Sequence, residues 1–123
     1  MSNLPQPTPT TFETVREIAL TLPHTAESTS YGTPSFKVKG NFLCRLKEDG
    51  DTLALKIDEF EKAALIALDP HIFYTTDHYN GYPAVLIRLS QISRAQLEHL
   101  MERAWRFVAP KRVIAEADKQ AKD

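Results

Sequence analysis

The stretch 36–57, Phe-Lys-Val-Lys-Gly-Asn-Phe-Leu-Cys-Arg-Leu-Lys-Glu-Asp-Gly-Asp-Thr-Leu-Ala-Leu-Lys-Ile, alternates between apolar and polar residues and is interrupted twice by glycine-containing turns. A period of two is the signature of β-strands, whose successive side chains point to opposite faces. Strands are therefore expected over 36–38, 42–47 and 53–57, joined by a short turn at Gly40 and a hairpin turn over 48–51. Three consecutive antiparallel strands make a meander. In this reading Phe36, Val38, Phe42, Cys44, Leu46, Leu53, Leu55 and Ile57 face a core. The residues between them, among them Leu43, face the other way.

Towards the N-terminus, Thr10 and Glu13 have the spacing of a capping box, and Phe12, Val15, Ile18, Ala19 and Leu22 recur at helical spacing before Pro23. This predicts a first helix beginning at Thr10. Residues 30–34 have turn chemistry.

Towards the C-terminus, Asp58 and Glu61 open a second helix that Asp69 and Pro70 end. A short strand over 71–75, a loop over 77–83 containing Asn80-Gly81, and a strand over 84–89 follow. Ser93 and Gln96 start a last long helix with Leu97, Leu100, Met101, Ala104, Trp105 and Val108 on one stripe, and Pro110 breaks it. The expected fold is α+β: an antiparallel sheet with helices packed on one face and the other face turned to solvent.

The 123 residues suffice for one core and are too few for two ordinary ones. A single domain is expected over 10–114, between a proline-rich arm at 1–9 and a frayed polar tail at 115–123. The longest apolar run, 63–68, is far short of the roughly 18 residues that span a bilayer, so no membrane insertion is expected. The N-terminus lacks the basic and apolar regions of a secretory signal. Cys44, the sole cysteine, precludes an internal disulfide and fits a reducing compartment, hence a cytoplasmic protein. A monomer is expected.

Net charge is only −1, but it is segregated: 28–47 carries four bases and no acid, 48–77 eight acids against two bases, and 78–112 six bases against two acids. Alternation puts Lys37, Lys39, Arg45, Lys47, Lys56 and Arg88 together on the open face. Like charges opposite one another across strands are mildly destabilising, so a polyanion is the natural partner. Lys111 and Arg112, past the last helix, give flanking support. The bland account is that solvated sheet faces ordinarily carry lysine and arginine, partly to prevent edge aggregation.

Three strings carry a resemblance: Ser-Tyr-Gly-Thr-Pro-Ser-Phe at 30–36, His-Tyr-Asn-Gly-Tyr-Pro-Ala-Val at 78–85, and Ala-Trp-Arg at 104–106 followed by Ala-Pro-Lys-Arg at 109–112. Together, in this order, they resemble the MmcQ/YjbR family, over about residues 11–114. The resemblance implies a YjbR/CyaY-like fold, similar in outline to frataxin, and DNA binding through a double-wing arrangement. Residues 36–47 and the segment ending at Arg88 are the candidate wings. It implies no defined active site.

No catalytic centre is recognisable, and no enzyme activity or cofactor is expected. The loop residues Asp77, His78, Tyr79 and Tyr82, with Tyr31, are the one place where an acid, a histidine and phenols meet. They define an alternative: a small-ligand or protein-interaction module centred on this loop, with no role for DNA. Against that stands the bland account that His78 and Tyr79 merely tie the loop to the fold. No metal is expected, because cysteine pairs and histidines at ligand spacing are missing. The first helix has only Glu13 and Glu17, with Arg16 between them, in place of the acidic ridge of frataxins. Glycine-rich phosphate loops are missing too. Cys44 and Trp105 read as core residues.

Overall fold

The computed structural model of the protein describes residues 9–121. Its elements are α1 (Phe12–Ala19), β1 (Thr25–Ser30), β2 (Thr33–Val38), β3 (Asn41–Leu46), β4 (Thr52–Lys56), α2 (Glu59–Leu68), β5 (Phe73–Tyr74), β6 (Ala84–Arg88), α3 (Arg94–Val108) and α4 (Lys111–Ala121). The six strands form one antiparallel sheet in the order β1-β2-β3-β4-β6-β5. The arm expected over 1–9 lies, but for Pro9, outside the described residues.

The core lies between the sheet and α1 and α3. Phe36, Cys44, Leu55 and Val85 form one row across β2, β3, β4 and β6, all with no exposed surface. Val15, Ile18, Leu97, Met101 and Trp105 close over them from the helices. The Trp105 indole N–H donates to the Pro23 carbonyl at 2.9 Å, which satisfies its one polar atom inside the core. Cys44 belongs to this core, and burial pushes its thiol up to about 12, far from the thiolate a nucleophile requires.

Several sequence expectations change. The first helix is capped at Thr11, not Thr10: the Thr11 N–H donates to the Thr14 hydroxyl, while the Thr10 hydroxyl donates to the distant Ile92 carbonyl at 2.6 Å. Residues 25–30, read as neither helix nor strand, form the edge strand β1. Their sequence, Thr-Ala-Glu-Ser-Thr-Ser, has no apolar alternation to betray it, and polar edge strands resist unwanted pairing. The turn expected over 30–34 shrinks to Tyr31-Gly32.

A bulge between Phe36 and Lys37 sets Cys44 opposite Phe36 and Phe42 opposite Lys37. This extra residue reverses two assignments: Phe42 moves to the face of Lys37, and Leu43, expected outside, is fully buried.

The frayed tail expected over 115–123 is also corrected, because Lys111–Ala121 form α4. Pro110 ends α3 and also starts α4, its carbonyl accepting the amides of Val113 and Ile114 at 3.0 and 3.1 Å, a place where its missing N–H costs nothing. Val113 is buried, and Arg106 pairs with Asp118 at 2.7 Å.

The second face of the sheet is only partly open. One row crosses all six strands there: Ser28, Ser35, Arg45, Ala54, Leu86 and Tyr74. Small residues over β4 and β6 leave room for Tyr79, which packs on Ala54, Ala84 and Leu86. It comes from a 3-10 turn, Asp77–Tyr79, within the loop expected at 77–83.

Helix α2 locks this roof in place. The ammonium of Lys62, a residue only 4% exposed, donates to the carbonyls of Tyr79 at 2.6 Å and Tyr82 at 2.8 Å. A buried ammonium is tolerated only with such acceptors.

Two stability predictions follow from this packing. Val113→Ala should lower unfolding free energy in urea by about 2 kcal/mol, whereas an unchanged value would mean that α4 is not docked. Lys62→Met keeps the bulk but leaves the Tyr79 and Tyr82 carbonyls without their donor. It should cost about 2–4 kcal/mol and speed amide exchange at Tyr82 and Ala84, and unaltered exchange would show that the roof does not depend on Lys62.

Candidate functional site

Because the roof covers β4, β6 and β5 but stops short of β1 and β2, the second sheet face has a step, and a trough of about 730 Å³ runs along it. Lys37, Phe42, Arg45 and Ala54 line its floor. Ser30 and Tyr31 mark one end, Gly40 the other, and His78, Tyr79 and Tyr82 form the roofed wall. Its extent is that of β2, six residues or about 20 Å of extended chain.

The trough unites two groups of residues that the sequence treats as rival sites. Lys37 and Arg45 come from the basic set, and Tyr31, His78, Tyr79 and Tyr82 from the loop set. Asp77 is not part of the lining and stands 3.5 Å from the Asn80 amide; the His78 and Tyr79 rings meet edge to face, 5.2 Å between centroids, and the carboxylate that lines the trough with them is Glu48.

The six bases do not form a bare cationic plane. Arg45 is only 8% exposed, pairs with Glu48 at 3.2 Å and donates to the Thr33 hydroxyl at 3.1 Å. Burial lowers its proton affinity, but Glu48 and Tyr79 outweigh that, so the guanidinium stays charged. Glu48 is held below the usual carboxylate range by its own backbone amide and then by Arg45.

Arg88 lies 4.0 Å over the Tyr74 ring and donates to the carbonyls of Pro70 and His71. Lys56 sits 4.5 Å above the Tyr82 ring and 3.2 Å from its hydroxyl, Lys47 lies 5.0 Å over Tyr79, and Arg45 lies 5.0 Å over Tyr31. All four tyrosines of the chain thus lie against a base of this face. Lys37 makes no ion pair among the described residues.

Lys39 is at the tip of the β2–β3 hairpin rather than on the strand face, and it is exposed. Lys111 and Arg112 are exposed at the start of α4. The Asn41 side-chain amide donates to the Val108 carbonyl at 2.9 Å, which brings the hairpin tip beside the α3–α4 junction. These three cations therefore occupy one end of the molecule, beyond the Gly40 end of the trough.

Sequence reasoning missed Phe42, Ser30 and the roof. A signal for the roof exists: the run Ala-Val-Leu-Ile-Arg at 84–88 is apolar on both faces, as in strands covered on both sides. Among the described residues, no group of three or more His, Cys, Asp and Glu side chains converges as metal ligands, and no helix is long and apolar enough to cross a membrane.

Known proteins agree with this architecture. A crystal structure of Deinococcus radiodurans protein DR2400, which carries a DUF419 domain, superposes with a TM-score of 0.70 over 83% of this chain and 80% of that one. At 23% identity that likeness is one of fold. Uncharacterized proteins of Mycobacterium tuberculosis and Mycobacterium bovis are 46% identical over 66 residues, and the chain spans about half their length, 51%. The YjbR family model matches residues 20–107, a segment that holds the whole sheet and both walls of the trough, and the chain belongs to the YjbR family.

Proposed function

We propose that the protein is a nucleic-acid-binding module rather than an enzyme, and that it binds through the second sheet face with the trough at its centre. The observation that carries this reading is the pairing of all four tyrosines with bases beside Lys37, which makes no ion pair among the described residues. Tyr31, Tyr79, Tyr82, Lys37 and Arg45 line the trough itself, and rings and cations on one face supply the two contacts that a nucleic acid offers, base faces for stacking and phosphates for charge.

The phosphate contacts are fewer than strand alternation alone implies. Arg45 is neutralised by Glu48, and Arg88 is turned into the β5 edge. Lys37, Lys47 and Lys56 remain along the face, with Lys39, Lys111 and Arg112 at its end.

A second reading rests on the enclosure itself. A concavity of about 730 Å³ is within the usual size range of small-molecule sites, and a free anionic metabolite with a planar group would meet the same side chains.

Fluorescence anisotropy with labelled oligonucleotides over a salt series separates the two. Nucleic-acid binding should give log affinity falling linearly with log salt, and Lys37→Glu should weaken binding and reduce the slope by about 1. Absence of binding at low salt, or affinity indifferent to salt and to Lys37, would remove the nucleic-acid reading. Stabilisation by a small anion in the same protein would then support the second.

A further inference from the structure

Tyr31 is 86% exposed and adopts a left-handed backbone conformation, φ +53°, followed by Gly32 at φ +77°. Two consecutive positive φ values in a two-residue hairpin loop are those of a type I′ turn, whose first position favours asparagine, aspartate or glycine. A bulky side chain there strains the backbone. The fold gains little in return, because the ring buries almost none of its surface. One face of the ring lies 5.0 Å from the Arg45 guanidinium, which Glu48 and Thr33 hold in place from below. A fixed cation beneath and solvent on the remaining sides make this ring a stacking platform at the mouth of the trough.

Resting on the nucleic-acid reading above, we infer that the trough takes an unpaired strand, with a base stacked on Tyr31 at one end and a phosphate farther along the strand on Lys37. Within a duplex each base presents only its edges to a protein, since its faces are covered by the neighbouring pairs. A platform such as Tyr31 therefore has nothing to stack on until a base is unpaired. The floor residues Lys37 and Phe42 also lie below the roofed wall of Tyr79 and Tyr82, where a flexible single strand can descend and a rigid double helix cannot. Phe42 and Tyr82, farther along the trough, offer rings to the bases that follow.

The test compares a short labelled oligothymidylate, a duplex of equal length and free thymidine monophosphate on the full chain, using wild type, Tyr31→Phe and Tyr31→Asn. The single strand should bind more tightly than the duplex, and Tyr31→Phe should retain that affinity. Tyr31→Asn should weaken single-strand binding by about tenfold and leave duplex binding unchanged. Because asparagine suits the turn, the same variant should melt about 3 °C higher, so its loss of binding cannot be ascribed to unfolding.

Equal affinity for duplex and single strand, an unchanged Tyr31→Asn protein, or a mononucleotide that binds as tightly as the strand would each overturn the inference while nucleic-acid binding stands. Failure of every nucleic acid to bind would overturn the reading on which it rests.

Discussion

The Lys62 ammonium decides the shape of the second sheet face. A charge withdrawn so far from water must be met by good acceptors, and it finds them in the Tyr79 and Tyr82 carbonyls, brought within 2.6 and 2.8 Å. Those two bonds tie helix α2 to the 77–83 loop and hold Tyr79 over the small residues Ala54 and Ala84. Were that loop free, the sheet would be open from edge to edge. With it pinned, β4, β6 and β5 are covered, β1 and β2 are not, and the step between them is the trough.

The electrostatics of the face follow from the same arrangement. Segregated charge along a chain need not become a charged surface, because each base seeks the nearest group that stabilises it. Here those groups are tyrosine rings, backbone carbonyls and one glutamate, which leave the face amphipathic instead of uniformly cationic. Such a surface suits a ligand with both flat apolar parts and negative charge better than it suits a bare array of phosphates.

Much of the fold is written in local patterns. Asp58 accepts the Phe60 and Glu61 amides at 2.8 and 3.1 Å, and Ser93 accepts the Gln96 amide at 3.1 Å, so both caps are readable from residue type and spacing alone. The core alternation of Phe36, Val38, Leu53, Leu55 and Ile57 is equally direct. What escapes local reading depends on partners distant in the chain. The bulge that buries Leu43 and exposes Phe42 to the trough exists only once β2 and β3 pair. Strand β1 is held by its neighbour rather than by any apolar face of its own, and α4 survives a polar composition because Val113 reaches the core. The candidate site divides the same way: its bases and tyrosines are visible in the sequence, whereas their pairing and their convergence beside β2 require the roof.

The most direct measurement is a titration of isotope-labelled protein with a single-stranded oligonucleotide, followed residue by residue in backbone amide spectra. A trough that receives the strand predicts that Ser30, Tyr31, Lys37, Phe42 and His78 shift together, on both sides of the step. Shifts confined to Lys39, Lys111 and Arg112 at the hairpin end, with the trough residues unmoved, would contradict it and make the face a bystander to binding elsewhere.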